Sequence, residues 1–402
     1  MRIKEITNFL ESLAPLSSQE DYDNCGLIVG DENEVCTAAL ITLDCIEATV
    51  DEAISKGCNL IIAHHPIVFS GLKKMNGKNY IERTVIKAIK NDIAIYAIHT
   101  NLDNYKFGVN HEIANRLELI NVSILAPKQN NLIKLSCLVP KGHEKSVLEA
   151  MHLNGAGEIG NYSNCSYITN GSGSYMPNDS AIPFDGLKNE LNTVDESKLE
   201  VLITSHQMNS VVKAMKKAHP YEEVAYDLIP ILNENQTEGA GMIGELKQEM
   251  NTIDFLRKLK EDFNCEVIRH TNIHTDKVKK IAFCGGSGGF LLNMAKIKSA
   301  DVFITGDFKY HEFFDAENSI IIADIGHFES EQYTSNRIER ILKKKFSKFF
   351  LQNTLNSVRS VLFALKMSYI SNNYSVFCIK KLMVFEVSTD KHISRLYFRC
   401  IQ

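Results

Sequence analysis

The sequence has little of what marks several protein classes. Glycine and proline together supply only 30 of 402 residues, 22 and 8 respectively, too few for a fibrous or low-complexity chain. No apolar run approaches the ~18 residues that a membrane-spanning helix needs. The opening segment MRIKEITNFLESLAP carries acids and reads as an amphipathic helix rather than a secretory leader, so a cytoplasmic protein is expected. Charge of one sign is not in excess: 44 Lys and Arg stand against 49 Asp and Glu, a net of −5. A dedicated nucleic-acid surface, which shows as a basic excess, is therefore not expected. The ten cysteines contain no Cys-x-x-Cys pair and no regular spacing, which argues against a disulfide framework and a structural zinc knot. They read as reduced, mostly buried thiols.

What is present is an alternation of short apolar runs and helical patterns. CTAALITLD (36–44), CNLIIAHHP (58–66) and the start of IAIYAIHTNLD (93–103) read as strands, separated by the helical patterns IEATVDEAISKG and YIERTVIKAIKN. The pattern lapses near residue 125 and resumes near 279. There VKKIAFCGGSGG (278–289), DVFITGD (301–307), SIIIADIGH (319–327) and FFLQNT (349–354) read as strands. ESEQYTSNRIERILKKKF (329–346) reads as one helix. This order predicts an α/β fold with a mainly parallel sheet. The middle, about 126–235, has a strand–helix–loop–strand–helix–strand order and a polar Gly/Asn/Ser stretch from Asn154 to Ser180, which suggests an α+β insert. The predicted division is 1–125 and 236–357 as halves of one discontinuous α/β domain, 126–235 as the insert, and 358–402 as an atypical C-terminal extension. That extension alternates like a hairpin and suggests no role.

In open parallel sheets, ligands bind beyond the carboxyl ends of the strands. Those ends carry Asp44, His64-His65, His99 with Asp103, Gly285 to Gly289, Asp307, and His327 with Glu331. Neighbouring side chains on a strand point to opposite faces, so His64 and His65 can meet one site only where the strand ends, and Pro66 helps to end it. A carboxylate such as Asp103 can bridge two cations, although it also suits a turn or helix cap. His99 suits a metal ligand, a proton carrier or an orienting group, the last two preferred. Glu331 competes with Glu329 for a ligand role and could instead be a first-turn acid at the helix dipole. Together His64, His65, His327, Asp103 and Glu331 can hold two divalent ions, with zinc, iron and manganese all compatible with imidazole plus carboxylate. Such a pair lowers the pKa of water and clamps attacking and leaving oxygens. GLKKMNGKN (71–79) fails the phosphate-loop spacing and lacks its hydroxyl. CGGSGG (284–289) suits an anion cradle or a plain tight turn.

DYDNCGLIVG (21–30), NLIIAHHPIVF (59–69), HTNLD (99–103), GGSGG (285–289), ITGDFKYHEF (304–313) and IADIGHFESE (322–331) resemble the NIF-three-like dinuclear metal-centre family. Its bacterial members carry the name GTP cyclohydrolase 1 type 2 homologues. The resemblance covers about 1–357. It implies that His64, His65, Asp103, His327 and Glu331 are the metal ligands. It also implies a homohexameric toroid with metal sites facing an internal cavity. GAGEIGNYSNCSY (155–167) and HPYEEVAYDL (219–228) are similar to the PII/CutA-like insert of the long members. Tyr22 stands where the family usually has Trp, and the residues from 358 onward lie outside the family pattern. The implied activity is metal-dependent hydrolysis of a nucleotide, GTP being the named candidate, with His99 or His311 moving protons. A phosphoesterase with the same metals, and a non-catalytic metal- and ligand-binding scaffold, are the alternatives.

Overall fold

The structure is a computed structural model that describes residues 1–347 and 351–354. The expected extension from 358 lies outside the described residues. Following the chain, strands β1 (Gly26–Val29), β2 (Ala39–Thr42), β3 (Leu60–Ala63) and β4 (Ala94–Ala97) build a first sheet. β2, β3 and β4 run parallel, and β1 lies antiparallel against β4. Every residue of β2, β3 and β4 is buried, because both sheet faces are covered. The period-2 alternation then sorts them. Ala39, Ile41, Leu60, Ile62 and Tyr96 pack with Ile3, Ile6 and Leu10 of the helix Ile3–Leu13 and with Ile338 and Leu342 of the helix Thr334–Lys345. Leu40, Ile61 and Ile95 face the helices Glu47–Ser55 and Tyr80–Lys90 through Val50, Ala53, Val85 and Ala88. This two-sided burial is why these strands read as continuous apolar runs.

The chain then leaves this sheet. β5 (Ile120–Lys128) is followed by an antiparallel four-stranded sheet made of β6 (Leu132–Pro140), β7 (Ser166–Tyr175), β8 (Asn192–Thr204) and β9 (Tyr226–Ile231), in the order β7-β8-β6-β9. Alternate residues of β6 and β8, such as Leu135, Cys137, Leu199 and Val201, pack under the helices Glu144–His152 and Met208–Ala218. β7 runs through the polar stretch that the sequence presents as a loop. Its ten residues pair in unbroken register with β8 and are mostly exposed, so the ladder and not an apolar face holds them.

A six-stranded sheet follows: β10 (Asn235–Asn251), β11 (Arg269–His270), β12 (Lys277–Ser287), β13 (Val302–Gly306) and β14 (Ile321–Asp324), joined by β5 in the order β11-β14-β13-β12-β10-β5. β12, β13 and β14 are parallel. The two α/β segments exchange edge strands. β5, from the first segment, pairs with β10, and β15 (Leu351–Asn353), from the last, extends the first sheet beside β2. Among the described residues no helix is long and apolar enough to cross a membrane, and Cys25, Cys36, Cys45, Cys58, Cys137, Cys165 and Cys284 carry free thiols.

Candidate metal centre

The carboxyl ends of the two parallel sheets converge. β3 delivers His64 and His65, while β4 delivers His99 and the single-turn helix Thr100–Asp103. From the other sheet, β13 ends at Asp307 and β14 leads through Gly326 to the short helix His327–Glu331. The sequence predicts one helix over 329–346, but the structure breaks it. Gln332 donates its side-chain amide to the carbonyls of Phe263 and Glu329, and Tyr333 packs on Phe263. Glu331 therefore ends a separate five-residue helix, one turn from His327 on the same side.

His64 is fully buried. Its Nδ1–H donates to the carbonyl of Ile98 at 2.8 Å, which leaves Nε2 as an acceptor. Nε2 has no hydrogen-bond partner, and neither does the buried Oδ1 of Asp103, 3.6 Å away. Glu331 Oε1 stands 3.8 Å from the same nitrogen. The other carboxylate oxygen of Glu331, Oε2, lies 3.0 Å from His65 Nε2 and 3.1 Å from His327 Nε2, and those two nitrogens are 3.3 Å apart. Three trios of possible ligand atoms result: His64–His65–His99, His64–Asp103–Glu331 and His65–His327–Glu331. The last two share the Glu331 carboxylate, whereas the sequence suggests bridging by Asp103. Glu329 is no member of any trio.

These residues fit a metal. Buried polar atoms without partners are costly, so an acceptor nitrogen facing an acceptor oxygen calls for a cation between them. Nitrogens bound at about 2.1 Å to one tetrahedral ion stand about 3.4 Å apart, close to the His65–His327 spacing. The outer nitrogens are also held. Asp44 accepts from His65 Nδ1 at 2.8 Å, and Asp307 from His327 Nδ1 at 2.7 Å. Such carboxylate partners fix ring orientation at metal sites. Gly286, at φ 63°, makes room: a Cβ there would lie 2.3 Å from Glu331 Oε1.

The charge states follow from the packing. Burial keeps His64 below the usual imidazole range and therefore neutral. Burial also works against a charge on His65, but Asp44 and Glu331 outweigh it and push the pKa up to about 10. The Glu331 and Asp307 carboxylates likewise overcome burial at His327 and raise it to about 9. Burial and the adjacent Glu331 charge push Asp103 well above the carboxylate range. Glu331, although buried, is held well below it by His327 and His65. Protons thus occupy positions that a cation would take.

His99 forms the inner wall. Its Nδ1–H donates to Asp23 at 2.9 Å. Asp23 also accepts from the backbone N–H and the hydroxyl of Thr100. Those bonds outweigh burial and hold the Asp23 carboxyl well below its ordinary range. A ring nitrogen of His99 lies within 4.8 Å of ligand atoms of His64 and His65. A cavity of about 390 Å³ opens over the cluster, lined by His65, His99, Asp103, His327 and Glu331 on its floor. His311 is not brought there. It is exposed on a one-sided helix with its ring against Tyr310 and Phe314. Gly285–Gly289 spells Gly-x-Ser-x-Gly, but Ser287 makes no hydrogen bond to a histidine, so the pattern lacks a base here. Asp23 lies in the motif DYDNCGLIVG but is not among the strand-end acids, whereas Asp44 and Asp307 are strand-end acids whose partners only the fold reveals.

The family profile of Duf34/NIF3 (NGG1p interacting factor 3) matches residues 1–360. The chain belongs to the Duf34/NIF3 family. A GTP cyclohydrolase 1 type 2 homolog of Halalkalibacterium halodurans is 39% identical over 345 residues, 85% of this chain and 93% of that one. A Bacillus subtilis protein of the same name is 39% identical over 327 residues, covering 81% and 88%. A crystal structure of a Bacillus cereus protein related to NIF3 superposes with a TM-score of 0.80 at 36% identity, covering 90% of this chain and 99% of that one. The NIF3 fold and its two-segment α/β architecture are thus shared with a solved relative of nearly the same extent.

Proposed function

We propose that this NIF3-family chain is a metal-dependent hydrolase acting on a nucleotide, with two divalent ions in the two trios that share Glu331. The observation that carries the reading is the pair of buried, unpartnered acceptors, His64 Nε2 and Asp103 Oδ1, facing each other beside that carboxylate. Divalent ions bound there would supply Lewis acidity, acidifying water and drawing charge from a substrate's imine, carbonyl or phosphoryl group. His64, His65, Asp103, His327 and Glu331 would hold them, with zinc, iron and manganese all compatible. Asp44 and Asp307 keep His65 and His327 turned inward. His99, fixed through Nδ1 by the ionised Asp23, is positioned to carry a proton between water and a substrate in the cavity. His311 has no part in this scheme. Family membership supports a homohexamer with the cavities facing inward, residues 126–235 acting as a separate insert domain, and a cytoplasmic location. Light scattering on purified protein tests the assembly.

The deciding experiment incubates metal-loaded protein and its His64→Ala variant with GTP and identifies products by mass spectrometry. Consumption by the parent alone, with formate released, supports purine ring opening. Inorganic phosphate instead of formate assigns a phosphoesterase. No turnover, with metal retained and nucleotide bound unchanged, overturns the hydrolase reading in favour of a ligand-binding scaffold.

A further inference from the structure

The cavity mouth carries aromatic rings that the metal cluster does not need. Tyr22 and Phe69 stack nearly parallel, with centroids 6.1 Å apart and planes 20° apart, and Phe69 meets the ring of His99 edge-on at 5.9 Å. Phe290 lines the same cavity. All three are exposed, by 65%, 48% and 70% respectively. Grouping exposed rings at one opening forgoes the gain from burying them, and such patches mark binding surfaces. The Tyr22–Phe69 pair is also braced. Asn24 donates its side-chain amide to the carbonyl of Val68 at 2.7 Å, and Asp23, next to Tyr22, holds His99. One loop thus fixes both the ring platform and the proposed proton carrier.

The lining carries no Lys or Arg among the described residues, but it does carry His65 and His327, so its charge does not exclude a phosphate. The rings are what select: a flat neutral ring stacks on an aromatic face whatever the surrounding charge. We propose that the Tyr22–Phe69 face is the binding platform for a planar, uncharged nitrogen heterocycle of the nucleobase class. The ring, rather than a phosphate chain, is then what lies over the metal ligands. This rests on the hydrolase reading and sharpens it, because it favours chemistry on the ring over cleavage of a phosphate ester.

The sequence contains no tryptophan, which supplies a clean reporter. Tyr22→Trp, at a position exposed enough for the larger ring, places the single indole on the platform. Its emission is followed in metal-loaded protein against guanosine, ribose 5-phosphate and inorganic triphosphate. Saturable quenching by guanosine but by neither phosphate compound is expected. Adding Phe69→Leu, with metal content unchanged, should weaken guanosine binding about tenfold, and Phe290→Leu reports on the other wall. A response to triphosphate without one to guanosine overturns the proposal, as does guanosine binding that neither leucine variant weakens. The two readings fail separately. Guanosine bound but GTP left intact sinks the hydrolase and keeps the platform, whereas hydrolysis without base binding does the reverse.

Discussion

Two buried histidines, one in the candidate metal site and one in the middle segment, show how an imidazole open to a ligand differs from a purely structural one. His219 is 7% exposed and both its nitrogens are used. Nε2–H donates to the Leu138 carbonyl at 2.8 Å, and Nδ1 accepts from the Tyr221 N–H at 3.0 Å. His64 is buried completely and spends Nδ1–H on the Ile98 carbonyl, yet its Nε2 has no partner. Burial lowers both pKa values, so titration alone does not distinguish them. The unpaired nitrogen does. Neighbouring acids make the same distinction. Glu196 near His219 accepts from the Tyr221 hydroxyl at 3.0 Å, whereas Asp103 near His64 keeps a buried oxygen without a donor.

The largest effect on this contrast should come from Glu331→Ala, which takes a ligand from both trios that it joins. Metal content measured on purified protein should fall to background, an affinity loss on the order of hundredfold or more, while the far-ultraviolet circular dichroism stays native. Wild-type metal content in that variant would remove Glu331 from the site. Next come the orienting acids. Asp307→Asn and Asp44→Asn should each weaken metal binding by roughly 10- to 100-fold, because the amide no longer fixes the ring through a charge-assisted bond. Competition with a chelator of known affinity reads this directly.

The third effect is of pH. His65 and His327, raised to about 10 and about 9, hold protons at neutral pH that metal must expel. Affinity should therefore rise with pH, by about tenfold per unit for each proton displaced, and level off only as the pH passes those values. Calorimetry in buffers of different ionisation enthalpy counts the protons. An affinity independent of pH between 6 and 9 would contradict the assigned charge states. The sign for metal-free stability is opposite. A raised histidine pKa contributes below about 6.5, the unfolded value, and is lost as pH climbs through the folded one. Metal-free protein should therefore lose thermal stability at alkaline pH, and metal should restore it.

The smallest effect on metal should come from His219→Ala. It leaves the Leu138 carbonyl and the Tyr221 N–H without their partner and should cost about 1–3 kcal/mol of stability. Metal content should not change. His64→Gln should show the converse, metal lost and stability nearly kept, since its vacant nitrogen supports no hydrogen bond in the fold. If both variants behave alike in urea unfolding and metal analysis, the distinction fails.

Much of the fold was legible because strands buried on both faces are written as short apolar runs. LIIA and ALIT could hardly be anything else between helical patterns. The candidate site residues stood out for a related reason, since strand ends in parallel sheets are where polar side chains gather. β7 was not legible. NGSGS has no apolar face, and only the neighbouring β8 makes it a strand. The break after Glu331 was equally hidden, because it depends on the Phe263 carbonyl reached from another element.

The sequence by itself determined most of the strands and helices and a set of imidazoles and carboxylates at strand ends, through local periodicity and residue chemistry. The tertiary structure alone decided which of them meet. It closed two sheets against each other, placed Glu331 between two of the trios, tied His99 to Asp23, and left His311 outside. Those pairings join residues far apart in the chain, and a side chain's partner across such a distance is set by packing geometry, which no local pattern carries.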